Sequence, residues 1–399
     1  MTEHVKRAFK YRFYPNDAQA AQLKRTFGCV RKVYNLALQA RTTAWFTEQR
    51  RINYVQTSAL LTEWKKTEEH AFLVEVSSVP LQQTLRHLQA AFTNFFEKRS
   101  AYPRFKSLKK SRKSAEYTRS AFTYRDGRLT LAKMHEPLDI AWSRQLPEGQ
   151  VPSTVTVSQD SAGRWFVSML CEDASVKALR AGSRTVGVDV GITSLVTLST
   201  GEKISNPKFE RKDRVRLAHA QRELSRKEKG SKNHDKARVR VARIYARIAD
   251  RRRDFLHKLS TRLVRENQTI VIEDLAVRNM LKNRPLARAI SDASWTKLRS
   301  MLEYKAQWYG RDLIAVDRWY PSSRTCSTCG HLVAKLPLNV REWTCAACGV
   351  VHDRDANAAR NILAAGLAVS ACGAGVRPQR STSGRAAGAE AGKLRRSAA

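Results

Sequence analysis

The sequence predicts a multidomain α/β protein, and three observations predict it. In the C-terminal half, apolar strands that end in a carboxylate alternate with long amphipathic helices. A segment of alternating basic and apolar residues opens the chain, and short strands return after residue 105, on the far side of a helical stretch. Two Cys-x-x-Cys pairs, Cys326/Cys329 and Cys345/Cys348, are separated by fifteen residues, the spacing of a metal-bound loop. A chain of 399 residues, 42% of them apolar, has material for two or three domains.

Residues 5–14 (VKRAFKYRFY) alternate basic and apolar side chains. They read as a strand with a cationic face that carries Lys6 and Arg12. Pro15-Asn16-Asp17 breaks the strand, and Asp17 is placed to cap the helix that follows. From there to about residue 100 the pattern is helical. Leu23, Phe27, Val30, Val33/Tyr34 and Leu38 share one stripe, and Leu81, Leu85, Leu88, Phe92 and Phe95 another. Residues 103–119 are dense in Lys and Arg, among them Arg104 and Lys106, with Phe105 and Tyr117 interleaved. Two short strands, at 155–158 and 165–169, flank Asp160-Ser161-Ala162-Gly163 and read as a hairpin. Residues 105–180 thus form a β module that can pair with the first strand, which leaves the helical segment as an insertion.

The composition changes at residue 184. Residues 184–191 (RTVGVDVG) are a buried-type strand ending in Asp189 and Gly191, and strands at 195–198 and after 203 follow. Between 203 and 265 there are 22 Lys/Arg against 7 Asp/Glu. Two helices fit here, broken at 229–233. The second carries Val241, Ile244/Tyr245, Ile248, Phe255/Leu256, Leu259 and Leu263 on one stripe, over about 45 Å at 1.5 Å per residue. Its other face is Arg and Lys, including Arg240, Arg243, Arg247 and Arg251. Residues 269–273 (TIVIE) are an apolar strand ending in Glu273, 294–309 suit an amphipathic helix, and 313–316 are a further strand. After the cysteine pairs, Asp353-Arg354-Asp355 opens an alanine-rich helix to about 366. Residues 370–399 lack apolar periodicity and read as a disordered basic tail.

Net charge +37 and pI ≈ 10.5 make a polyanion the expected partner. No run reaches the ~18 apolar residues of a membrane span, and the N-terminus has no signal-peptide stretch. A soluble, cytoplasmic protein is expected, not a secreted or membrane one. The four clustered cysteines suit a closed, structural Zn²⁺ site. Cys29, Cys171 and Cys372 lack paired spacing, and His331 and His352 find the four-cysteine shell already filled.

Asp189 and Glu273 each end an apolar strand, and Asp355 begins a helix. Taken singly, a strand-end Asp is most often a turn residue, and either Asp353 or Asp355 suits a helix cap. Together, three carboxylates need a counter-charge. Mg²⁺ or Mn²⁺ suits hard oxygen ligands, and two such ions about 3.5–4 Å apart would serve phosphodiester hydrolysis. In so basic a chain the pattern suits an RNase H-like nuclease core. The basic helix suits phosphate backbones, and Lys6, Arg12, Arg104 and Lys106 are further candidate nucleic-acid contacts. Gln82, Gln83 and Arg86, on one predicted helix, are candidates to read base edges.

The chain resembles the TnpB family, transposon-encoded RNA-guided nucleases related to type V CRISPR effectors. The resemblance rests on residues 187–191 (GVDVG), 272–275 (IEDL) with Met280, 322–330 (SSRTCSTCG), 343–349 (WTCAACG) and 352–362 (HDRDANAARNI), in that order. Residues 11–15 (YRFYP) and 103–106 (PRFK) carry it more diffusely, and the tail matches nothing. The resemblance implies a RuvC-type nuclease core at 183–320 and 351–369, with the triad Asp189, Glu273 and Asp355. It implies a target-binding zinc ribbon at 321–350 holding one Zn²⁺ on Cys326, Cys329, Cys345 and Cys348. It implies a β-barrel wedge domain at 1–15 and 104–182, carrying a helical recognition insertion at 16–103. The expected partners are a guide RNA from the transposon end and double-stranded DNA cut beside a short flanking motif. The expected state is a protein monomer in the complex. Strand-transfer by a transposase and binding by a nuclease-inactive repressor are the alternatives, and the complete triad disfavours the repressor.

Overall fold

A computed structural model describes residues 5–337 and 339–371. The expected tail at 370–399 lies almost wholly outside them. The chain forms two compact units, one of residues up to Val176 with Ala220–Arg243, the other of Lys177–His219 and residues from Ile244 on.

The first unit is a mixed α/β body. Its elements are β1 (Val5–Phe13), α1 (Asp17–Glu48), α2 (Tyr54–Lys66), α3 (Ser78–Phe96), β2 (Lys113–Thr118), β3 (Phe122–Arg125), β4 (Arg128–Leu131), β5 (Ile140–Ala141), β6 (Thr154–Gln159) and β7 (Trp165–Asp173). Five strands make one antiparallel sheet in the order β2-β6-β7-β1-β5. β1 pairs along its whole length with β7, from Val5 opposite Asp173 to Phe13 opposite Trp165. The period-2 pattern turns Phe9, Tyr11 and Phe13 inward, onto Leu23, Phe27 and Val33 of α1 and Leu81, Leu85 and Leu88 of α3. The expected hairpin is present: Asp160 Oδ1 accepts from the Ala162 and Arg164 N–H groups, and Gly163 takes φ +82°. The cap of α1 differs from expectation. Asn16, not Asp17, is the N-cap, and its side chain and that of Gln19 form a reciprocal capping box.

The second unit contains β8 (Thr185–Val190), β9 (Ser194–Leu198), β10 (Lys203–Ser205), β11 (Thr269–Glu273), α6 (Val277–Met280), α7 (Arg284–Ala293), α8 (Trp295–Tyr309), β12 (Asp312–Val316), β13 (Glu342–Thr344), β14 (Val351–Asp353) and α9 (Arg354–Ala371). The helices α4 (Phe209–Ser225) and α5 (Lys232–Glu266) join β10 to β11. The sheet order is β10-β9-β8-β11-β12. β10, β9 and β8 are antiparallel, and β8, β11 and β12 are parallel. One face packs Val186, Val188, Ile270 and Ile272 against Leu256, Leu259 and Leu263 of α5 and Leu298, Met301 and Leu302 of α8. Tyr245, expected on the apolar stripe of α5, is 47% exposed. The other face is covered by α9, through Ile362 against Val271, Ile314 and Val316. Two glycines let that helix lie close. A Cβ on Gly187 would stand 2.0 Å from the Ala359 carbonyl oxygen, and one on Gly366 would stand 2.3 Å from Val271 Cγ1.

Candidate carboxylate site and cysteine cluster

The topology brings the three carboxylates to one end of the second unit's sheet. β11 runs parallel to β8 with Ile272 opposite Val188. Asp189 and Glu273 are therefore each one residue beyond a paired position, on adjacent strands. α9, held on the same strands by Gly187 and Gly366, presents Asp355 in its first turn.

Electrostatics reports their proximity. Burial, reinforced by the charges of Asp355 and Glu273 and opposed by Arg354, pushes the Asp189 carboxyl up to about 7. Burial pushes Glu273 up to about 6. Among the described residues no ion pair reaches either side chain. Asp355 has one long contact, from Arg341 at 3.5 Å. The neighbouring acids behave otherwise. Asp274 is bonded to Arg299 and Arg318, which hold it below the usual carboxylate range. Asp353 is bonded to Lys203 and accepts from the Ala356 N–H at 2.9 Å, so Asp353, not Asp355, caps α9. Three carboxylates whose one ion pair among the described residues is the long Arg341–Asp355 contact are a donor set that fits a hard divalent ion. They do not close into as tight a cluster as the cysteines, whose four sulfurs all lie within 4.8 Å of one another.

Cys326 and Cys348 Sγ are 3.7 Å apart, and Cys329 and Cys345 Sγ 3.6 Å. Tetrahedral zinc with bonds of about 2.3 Å separates its sulfurs by roughly 3.8 Å, whereas a disulfide needs about 2.05 Å. The cluster therefore fits a zinc ion. Each Cys-x-x-Cys ends in a glycine at positive φ, Gly330 at +78° and Gly349 at +71°, and each glycine N–H bonds back to the first cysteine's carbonyl. His352 joins as a sulfur partner, its Nε2 3.0 Å from Cys326 Sγ and its ring against Trp343. His331 is exposed.

Two residues that the sequence pattern does not single out tie the cluster to the carboxylates. Asn361 Nδ2 donates to the carbonyls of Ser322 at 2.8 Å and Thr325 at 2.6 Å. Asn357 Nδ2 donates to Thr325 at 2.8 Å while its Oδ1 accepts from the Ser327 N–H at 2.9 Å. Both are buried. They fasten the first cysteine knuckle to the helix that carries Asp355. The available signal was an i, i+4 pair of polar residues in an otherwise alanine-rich helix.

The expected nucleic-acid contacts divide. Lys6, Arg104, Arg243 and Arg247 are exposed. Arg240 pairs with Glu223 at 2.6 Å and Arg251 with Asp213 at 3.2 Å. Arg12 lies beside the Phe166 and Tyr14 rings, and Lys106 Nζ lies 3.9 Å over Tyr34. Gln82 is occupied by Tyr54 and Ser58, and Arg86 reaches the Tyr54 hydroxyl at 3.4 Å. Gln83 is buried. No helix among the described residues is long and apolar enough to cross a membrane.

Residues 166–284 match the OrfB_IS605 family, described as "Probable transposase". Residues 295–362 match a "Cas12f1-like, TNB domain". Residues 1–50 match a "Helix-turn-helix domain", a stretch that here folds as β1 and α1. The chain is 74% identical over 383 residues to the "Putative RNA-guided DNA endonuclease" of Streptomyces pristinaespiralis, covering 96% of this chain and 95% of the relative. It is 36% identical over 392 residues to the "Putative RNA-guided DNA endonuclease InsQ" of Escherichia coli (strain K12), covering 92% and 94%. The chain of the "Cryo-EM structure of the Cas12f1-sgRNA-target DNA complex" superposes with a TM-score of 0.55 at 14% identity, over 90% of this chain and 98% of that one, and shares its fold.

Proposed function

This chain belongs to the TnpB family of RNA-guided DNA endonucleases, and from that premise we propose that Asp189, Glu273 and Asp355 are its cleavage site. The activity is transposon-associated, RNA-guided DNA cleavage. The observation that carries the site is the meeting of two strand-end carboxylates, neither in an ion pair among the described residues, with the first turn of α9, and the Asp189 carboxyl pushed up to about 7. The second unit is read as a split RNase H-like core, supported by its three antiparallel and two further parallel strands. The antiparallel sheet of the first unit is read as the wedge domain, with α1 to α3 as its recognition insertion. The knuckle segment at 321–350 is read as the zinc ribbon that meets target nucleic acid.

In this reading Asp189, Glu273 and Asp355 hold magnesium. Bound there, magnesium supplies an activated water and charge stabilisation for the leaving oxygen. The chain's own residues fix the donors. The parallel register sets Asp189 beside Glu273, and Asp353, by capping α9, releases Asp355 to face them. Arg299 and Arg318 occupy Asp274, which leaves Glu273 as the ligand of that adjacent pair. Guide pairing supplies sequence choice, so the basic surfaces need only hold backbone and a short flanking motif in double-stranded DNA.

The test is cleavage of a plasmid library carrying a matched target beside a randomised flank. The protein is co-expressed with RNA from its own transposon end. Cutting that needs both RNA and Mg²⁺, and that selects a flank, is expected. The family description "Probable transposase" favours a second reading, strand transfer by the same carboxylates. Joined products formed without RNA would support that reading and contradict the first.

A further inference from the structure

The first unit contains a cavity of about 300 Å³ between α1, α3, β2 and residues 106–112, at the small end of ligand pockets. Phe27, Val30 and Leu108 give it an apolar wall. Two polar side chains of its α3 wall lack partners. Thr84, 1% exposed, has a buried hydroxyl with no hydrogen bond. Gln83, beside it in the lining, makes no hydrogen bond among the described residues. Buried polar groups are normally satisfied, and those that are not call for an explanation. Around the rim, Lys24, Arg31 and Arg112 have no counter-ion among the described residues. The acid of the lining, Glu116, is already bonded to His87 at 3.0 Å.

Gly28 adds an independent observation. It sits inside the 32-residue α1, on the face shared by Lys24 and Arg31. A glycine there weakens the helix. Yet a Cβ at Gly28 would meet nothing within 4 Å, so no close packing asks for a glycine. The missing side chain leaves open space on the α1 wall of the cavity.

We propose that this cavity binds one unpaired nucleotide of a nucleic-acid strand. The base enters between the apolar wall and the Gln83 and Thr84 side chains. The flanking phosphates lie on Lys24, Arg31 and Arg112. A base still stacked in a duplex cannot enter. RNA and DNA share this chemistry, and the inference takes from the proposed function only that the ligands are nucleic acids.

Gly28→Leu tests it on the full-length protein in Mg²⁺-free buffer. The substitution fills the opening, leaves every charge in place and favours the helix. The probes are short labelled single strands of RNA and of DNA, the same strands lacking their bases, and a blunt duplex, read by fluorescence anisotropy at fixed salt. Binding of base-bearing single strands should weaken about tenfold. Abasic strands and duplex should bind as before, and the melting temperature should not fall. A loss confined to the RNA strand assigns the nucleotide to the guide, and one confined to DNA assigns it to the target. Thr84→Val, which removes only the hydroxyl, should give a smaller loss in the same arm. Unchanged binding of both base-bearing strands, or an equal loss with abasic ones, overturns the proposal. No probe here depends on cleavage, so the proposed nuclease site stands or falls separately.

Discussion

Glu273 and Asp274 are chain neighbours with opposite fates, and the difference is a cation. Two arginines take Asp274, and burial without one pushes Glu273 up to about 6. Asp189, at about 7, is the most strained of the group. Their ordinary values, 4.5 and 3.8, apply to the unfolded chain. Between about pH 4 and 7 these two carboxyls therefore hold more protons in the metal-free folded protein than in the unfolded chain. The stability that these two groups contribute falls as pH rises through that window. Asp189→Asn removes the most strained charge. It should raise the melting temperature of the Mg²⁺-free protein at pH 7.5, by the equivalent of about 1–3 kcal/mol, and flatten its pH dependence. Mg²⁺ should raise the melting temperature of the wild type and leave Asp189→Asn unmoved. A variant that melts lower at every pH would mean that Asp189 is an ordinary structural acid. The placement of Asp189 and Glu273 at strand ends and of Asp355 at a helix start was legible in the sequence, from apolar runs that each meet an acid. That Asp353 rather than Asp355 caps α9 was not, since both suit a cap and only the Ala356 contact separates them.

Among the elements, α9 joins the proposed carboxylate site to the cysteine cluster. Its N-terminal turns carry Asp355, and its Asn357 and Asn361 hold the first cysteine knuckle. Asn361→Asp keeps the shape but removes the donor from two carbonyls that it leaves facing a carboxylate. It should cost about 1–3 kcal/mol and speed zinc release to a chelator by about 10–100-fold, measured with a colorimetric zinc indicator. Zinc release at the wild-type rate would show that the knuckle stands without the helix. Strands and helices with clear periods were readable, including the β6–β7 hairpin and the helices beginning at 232 and 295. Contacts between distant segments were not. The two asparagines look like ordinary polar residues on an alanine-rich helix until the knuckle carbonyls are placed beside them. Gly187 reads as one more strand residue until α9 lies against it at a distance no side chain would allow.

Across the whole chain, the net charge of +37 is less available than a residue count suggests. On α5, Arg240 and Arg251 are spent on Glu223 and Asp213, while Arg243 and Arg247 remain exposed. Removing one cation that holds a DNA phosphate should lower the salt slope of binding by about one. Arg243→Ala and Arg247→Ala should each do so, and Arg240→Ala should change it little. Wild-type slopes for all three would remove α5 from the DNA-binding surface. Composition announced a polyanion partner, but it could not say which cations were already paired.

If one carboxylate site cuts the DNA that the guide selects, binding and cleavage must separate when that site is altered. The guide-loaded wild type is compared with Asp189→Asn, Glu273→Gln and Asp355→Asn. Binding and cleavage of the same matched DNA are followed in Mg²⁺. All three variants should bind the target like the wild type and cut it about 10²–10⁴-fold more slowly. Wild-type cutting by any one of them would contradict the assignment of that carboxylate, and by all three would place the chemistry elsewhere in the chain.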